Sequence, residues 1–240
     1  MKILRRAADA VLSIFYPPHC ALCGCDTLAG RHLCEPCADK SVKIEAPFCR
    51  QCSQPFAGAI DGTFTCSNCE DRRFHFDCAV SRYRSTGVVR ELVHRFKYDR
   101  CQYLRNPLAE WLAETLDDAR ITAHPFDYLV PVPLHSARQR EREFNQAEVL
   151  ASLVAERHGE RVLHALKRIR YTTTQTRLDR EERMENLRDA FRIQHARRVA
   201  GSHLILVDDV FTTGSTVDEC ARVLKKAGAV SVRVITVARG

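Results

Sequence analysis

No apolar run in this 240-residue sequence reaches the ~20 residues that a membrane-spanning helix needs. The nearest candidate has Ile3, Ala7, Ala8, Val11, Leu12 and Phe15 at helical spacing, but Arg5, Arg6 and Asp9 interrupt it. The expected reading is a docking helix over residues 1–16, ended by Pro17-Pro18, with no secretory leader and no membrane insertion. Residues 70–77 lack the Gly and Ser content of a flexible tether, so the cysteine-rich segment before them is expected to form a wall of the neighbouring site. Only three residues follow the last apolar strand, residues 232–237, so no C-terminal hood over a ligand site is expected. No base-specific pocket is legible.

Cysteine is abundant. Eight of the twelve cysteines form four Cys-x2-Cys pairs: Cys20 with Cys23, Cys34 with Cys37, Cys49 with Cys52, and Cys66 with Cys69. Each pair can make a tight knuckle that aims two sulfurs at one metal, and two knuckles complete a tetrahedral site of four thiolates. The pattern implies no histidine ligand and no open position, so the zinc ions are structural. Two ions are expected, with the pairs joined first to second and third to fourth, or else cross-braced. Such cysteine usage fits a reducing compartment, and with no membrane segment it points to the cytoplasm. The segment has few apolar residues (Leu22, Leu28, Leu33, Phe48, Phe56, Phe64), so metal binding has to supply its folding energy. Cys78, Cys101 and Cys220 read as small buried apolar residues. Cys25 lies two residues from Cys23 and is placed to compete as a ligand.

The formal charge is +7, and residues 81–240 carry all of it, because the first 80 residues hold nine basic and nine acidic side chains. A pyrophosphate or a nucleic acid would be drawn to the C-terminal part; the alternative is an ordinary solvated surface.

Residues 204–207 are an unbroken aliphatic run, as in a parallel strand buried on both faces. Asp208 and Asp209 follow at its carboxyl end, then Thr212, Thr213, Gly214, Ser215 and Thr216. A helix comes next, with apolar Val217, Ala221 and Leu224, acidic Asp218 and Glu219 early, Lys225 and Lys226 late, and Gly228 as a stop. The loop amides and the helix dipole suit a phosphate, while two carboxylates beside it suit sugar hydroxyls or magnesium. This stretch resembles the thirteen-residue phosphoribosyl pyrophosphate (PRPP) signature of type I phosphoribosyltransferases. The resemblance implies that Asp208 and Asp209 hold the ribose and serve as the catalytic pair, and that residues 212–216 hold the 5-phosphate of PRPP bound with magnesium.

A second strand, loop and helix lie upstream. Residues 128–132 are apolar and end in Pro131-Val132-Pro133-Leu134; a basic loop carries Arg138, Arg140 and Arg142; Phe144-Asn145-Gln146 opens a helix. Ligands bind at the carboxyl edge of such sheets. The resemblance implies that Val132, Pro133 and Arg138 meet the pyrophosphate; the alternative is pairing of the arginines with Glu141 and Glu143. Residues 78–84 read as an edge strand. Helices are expected over 87–96, closed by Lys97 and Tyr98, and over about 107–116, with Trp111 inward. Residues 163–170 read as a third strand. Residues 171–186 read as a mobile loop over the ligand, with an exposed connecting helix over Asp179 to Leu187 as the alternative.

Phe15-Tyr-Pro-Pro18, the four cysteine pairs, Phe96-Lys97-Tyr98, Val130-Pro-Val-Pro-Leu134, Phe144-Asn-Gln-Ala147, Thr174-Gln175, Glu182-Arg183, Asn186-Leu187, Ala190-Phe191 and the PRPP signature occur in one order. Along nearly its full length the chain resembles the ComF family of competence and DNA-utilisation proteins. The resemblance implies an α/β fold: a Rossmann-like type I phosphoribosyltransferase core over residues 78–240, behind a double zinc ribbon over residues 17–77. It also implies work on imported single-stranded DNA, alongside a DNA-import helicase or other competence proteins. Two functions follow: a PRPP- and magnesium-dependent transferase or PRPP binder, or a non-catalytic single-strand-binding adaptor. Glu143 stands where the family has glycine; a positive φ there would cost about 1 kcal/mol. Freshly reduced protein is expected to contain two zinc ions per chain by metal analysis; one or none would remove the two-site reading.

Overall fold

The computed structural model describes residues 18–28, 32–58, 60, 64–99, 101–171 and 187–240. The expected docking helix and almost all of the expected mobile loop lie outside the described residues. From residue 78 onward the main elements, short one-turn helices aside, are β1 (Cys78–Arg84), α1 (Gly87–Tyr98), α2 (Arg105–Ala113), β2 (Tyr128–Pro131), α3 (Ser136–Arg142), α4 (Gln146–His158), β3 (Leu166–Arg168), β4 (Phe191–Ile193), β5 (His203–Phe211), α5 (Ser215–Lys226) and β6 (Ser231–Arg239). Strands β1, β6, β5 and β2 form a parallel sheet in that order.

Its two faces follow from strand alternation. Val130, Leu204, Leu206, Val232 and Val234 share a buried cluster with Val217, Cys220, Ala221 and Leu224 of α5. Leu129, Ile205, Val207, Ile235 and Val237 point the other way, into a cluster with residues of α1, α2 and α4. The result is a three-layer sandwich, and the central stretches of β2, β5 and β6 are mainly apolar because both faces are covered. Trp111 is buried and its ring lies 4.5 Å from that of Tyr83.

Two expectations change. Residues 166–168 do form a strand, but it pairs antiparallel with β4 in a separate ribbon and does not join the main sheet. The basic stretch expected as a loop is helix α3 over residues 136–142. It has no buried residue, so no apolar stripe announced it, yet Ala, Arg, Gln and Glu are good helix formers. His135 caps it, its Nδ1 accepting from the Ala137 amide.

The zinc-ribbon segment covers β1, which is an edge strand. Ile44 donates to the Arg82 carbonyl, Arg84 to the Val42 carbonyl and Ala79 to the Gln51 carbonyl. Ser53 Oγ accepts from the Ser81 amide and donates to the Ala79 carbonyl. The segment also straddles the sheet: Cys49, Cys52, Cys66 and Cys69 join the core on the α5 face, while Cys20 and Cys37 join the core on the opposite face.

Helix α3 ends at Glu143 with φ +69°, in the left-handed region. That strain is local to the backbone. Glu143→Gly is therefore expected to raise stability by about 1 kcal/mol, seen as a higher urea midpoint at unchanged slope. A lower midpoint would mean that the contacts of the Glu143 side chain outweigh the strain.

Candidate functional site

Strand β5 outruns one of its neighbours. Its pairing with β2 stops at Pro131↔Val207, whereas its pairing with β6 continues to Phe211↔Arg239. The strand is thus longer than the aliphatic run that announced it, and Asp208 and Asp209 lie within it, at the point where β2 has turned away. Asp209 is buried and accepts an ion pair from Lys97 Nζ at 2.8 Å. Asp208 Oδ1 accepts the Asp209 amide at 2.9 Å. Burial and the neighbouring Asp209 charge push the Asp208 carboxyl up to about 7, against the opposing pull of Lys97.

The hydroxyl loop follows. Gly214 has φ +79°, and a Cβ there would fall 2.6 Å from the Phe211 ring, so the turn requires glycine. Gly214 precedes α5, whose first amides point out of the turn. Thr213 Oγ1 and Ser215 Oγ lie 3.0 Å apart. Thr212 and Thr216 line the cleft, whereas Thr213 borders a smaller cavity on the zinc-ribbon side. Arg72 donates to the Thr213 carbonyl at 3.0 Å, and the His75 amide donates to Asp218 Oδ1 at 2.6 Å. The cysteine-rich segment therefore holds this loop and the first turn of α5 directly. Asp218 is committed to that contact, and Glu219 accepts from Arg222 and from the Asp189 amide, so neither is aimed at a ligand.

The opposite wall comes from the segment after β2. Val132, Pro133 and Leu134 line it, and Asn145 fixes its course by donating to the Val132 carbonyl while capping α4 through the Ala147 amide. Arg138 and Arg142 of α3 reach the same space. So does Arg168 of β3, which sequence reading did not single out. Its burial, reinforced by the like charge of Arg138, lowers its pKa. The signal was present: Arg168 is two residues from buried Leu166, and so shares its strand face. Arg90 and His94 of α1 were also missed, and both line the cleft. Gln146 Nε2 is buried without a partner there. The cleft has a volume of about 580 Å³ and gathers Arg90, Lys97, Arg138, Arg142 and Arg168 around Asp208 and Asp209. An anion with several charged groups suits that balance.

The cysteines fall into two groups, Cys20, Cys23, Cys34 and Cys37, and Cys49, Cys52, Cys66 and Cys69, with the sulfurs of each group within 4.8 Å of one another. A tetrahedron with Zn–S of about 2.3 Å sets sulfurs about 3.8 Å apart. Cys23 and Cys34 sulfurs are 3.6 Å apart, and those of Cys52 and Cys66 are 3.7 Å apart, so both sets fit zinc. The pairing is first with second and third with fourth. Cys25 is exposed, with its sulfur 3.3 Å from that of Cys23.

A family model described as a double zinc ribbon domain matches residues 11–70, and one described as a phosphoribosyl transferase domain matches residues 135–240. DNA utilization protein YhgH of Salmonella typhi is 36% identical over 205 residues, covering 84% of this chain and 88% of that protein. Competence protein F of Haemophilus influenzae is 31% identical over 222 residues, covering 88% and 92%. The chain belongs to the competence protein F and DNA utilization protein family. Another family member, DNA utilization protein YhgH of Escherichia coli K12, is 32% identical over 222 residues, covering 91% and 95%. The two matched domains agree with a parallel α/β core behind a segment holding two four-cysteine sites. Among the described residues no helix is long and apolar enough to cross a membrane.

Asp208 also makes stability depend on pH. An unfolded Asp titrates near ~3.9, and in the folded chain Asp208 titrates at about 7. Between those values the folded form keeps a proton that the unfolded form has released, so this group's contribution to stability falls as pH rises towards 7 and stays low above it. Asp208→Asn is expected to flatten that fall between pH 5.5 and 8 in thermal melts and to be more stable than the parent at pH 8. Parallel pH profiles for the two proteins would contradict the assignment.

Proposed function

We propose that the cleft binds PRPP with magnesium and that the protein is a phosphoribosyltransferase acting on or with single-stranded DNA. The observation that carries this is the position of Asp208 and Asp209. They lie in β5 where β2 has left it, just ahead of the Thr212–Thr216 loop, and face a wall of cations. In this reading the two carboxylates hold the ribose hydroxyls, directly or through magnesium, and the backbone amides of Thr212, Thr213, Gly214, Ser215 and Thr216, with the hydroxyls of Thr212 and Thr216, hold the 5-phosphate. Val132, Pro133 and Arg138 line the pyrophosphate side, and Arg168 joins them. Magnesium would neutralise phosphate charge beside the carboxylates.

In the transfer, the bond from ribose C1 to a pyrophosphate oxygen breaks, and its electron pair leaves with the pyrophosphate. A nucleophilic atom of the acceptor bonds to C1, and its proton passes to the departing pyrophosphate. Positive charge builds on the ribose between the two events, and the paired carboxylates favour it. Lys97 sits on Asp209 in the present structure and keeps the acidic pair partly neutralised until a sugar or cation takes its place.

The DNA-linked names of the relatives support the nucleic-acid half of the proposal, as does the basic cleft. A second reading, a non-catalytic adaptor that holds single strands and docks on a DNA-import helicase or other competence proteins, rests on the same surplus of arginine. In both readings the working parts are a ribbon over residues 17–77 and a core over 78–240, and thiolate-held zinc suits the reducing cytoplasm.

Calorimetry with PRPP and magnesium, repeated with single-stranded DNA, separates the two. Magnesium-dependent PRPP binding that DNA enhances supports a donor role; no PRPP binding, with DNA binding intact, leaves the adaptor. Asp209→Ala and Thr216→Ala are each expected to weaken PRPP binding tenfold or more, since a hydrogen bond to a charged group is worth ~1.5–3 kcal/mol. Unchanged affinity in both variants would make the signature a structural relic.

A further inference from the structure

Helix α1 presents Arg90, His94 and Tyr98 on successive turns, and all three line the mouth of the cleft. Tyr98 is 57% exposed, so it does not belong to the core. Even so, its ring is held in place. The His94 ring lies beside it with centroids 4.9 Å apart, and the Arg142 guanidinium sits 4.8 Å from the Tyr98 centroid. Arg142 Nη2 also donates to the Tyr98 hydroxyl at 2.9 Å, while its Nη1 donates to Gln146 Oε1. Arg142 in this way connects the exposed ring to the cleft wall, where Gln146 Nε2 is buried without a partner.

An aromatic side chain fixed by its neighbours and still open to solvent offers contact area at little entropic expense. Interleaved with guanidinium groups, it suits a ligand with alternating planar and anionic parts. Base stacking on such rings tolerates any sequence, because every base has a π face, and cations beside the rings follow the phosphates. The phosphate loop lies across the same cleft, so a strand seated here would bring its end towards the acidic pair.

We infer that Tyr98, with His94, Arg142 and Arg90, is a stacking platform for a base of single-stranded nucleic acid at the cleft mouth. The inference rests on the DNA-linked reading above and assigns the residues that make the contact. Arg142 is the positioning residue: it orients the Tyr98 ring and supplies a charge for the adjoining phosphate. Tyr98 supplies the face.

The test uses the full-length zinc-loaded protein and a labelled oligothymidylate, followed by fluorescence anisotropy at low salt. Tyr98→Ala is expected to weaken binding roughly fivefold or more, with an unchanged melting temperature because the side chain is exposed. Tyr98→Phe should keep most of the affinity, since the ring remains. A strand of equal length made of abasic sites should bind the parent and Tyr98→Ala equally well, which a merely structural role for Tyr98 would not produce. The inference is overturned if Tyr98→Ala binds the oligothymidylate as the parent does, or if it loses affinity for the abasic strand to the same degree. A mononucleotide that binds as tightly as the strand would also overturn the assignment to a strand. If the parent binds PRPP but no strand at all, the platform is wrong while the PRPP proposal stands.

Discussion

Everything at the cleft depends on β5 running four residues past the last residue it shares with β2. On one side the strand stays hydrogen-bonded to β6 as far as Phe211. On the other side no strand among the described residues pairs with it, and a gap opens between two carboxyl ends. An aliphatic strand cannot use that gap, because its side chains would face water. Placing Asp208 and Asp209 there turns the loss of a neighbour into a polar floor. Lys97 of α1 then balances one of the charges, so the layer covering one face of the sheet also sets the electrostatics of the opening.

The zinc-bearing segment is built into this arrangement. Arg72 reaches the carbonyl of Thr213, and His75 meets Asp218 at the start of α5. Arg239, at the end of β6, donates to the Phe211 carbonyl and lies 4.0 Å from the Cys52 sulfur. Three contacts therefore join the second four-cysteine group to the turn that opens α5. A metal centre with no reacting position of its own can in this way decide whether a distant turn is ordered.

Much of this was legible in the residues. The aliphatic run 204–207, the acidic pair and Gly214 sit in one stretch, and local chemistry fixes their roles as strand, carboxylates and turn. The cysteine spacings are equally local. What the sequence did not reveal depends on neighbours far along the chain. That Val210 and Phe211 remain strand is decided by Ala238 and Arg239 of β6. Residues 166–168 belong to a ribbon and not to the main sheet because Phe191–Ile193 pairs with them. The bond from Arg72 to Thr213 spans 141 positions, and no window of sequence contains both. Helix α3 was hidden for a different reason: with no buried face, it has propensity and a cap but no periodicity.

The cover over β1 bears on what happens when metal is lost. Residues 42–44 and 51–53 satisfy the outer side of that strand, and they lie between and within knuckles that have little apolar material of their own. Without zinc the knuckles lose what orders them, and the outer row of amides and carbonyls on β1 is uncovered. An uncovered strand edge is a template for another chain. Zinc bound at the two four-cysteine groups would therefore guard solubility as well as shape: demetallation would leave the edge of the sheet open to edge-to-edge association.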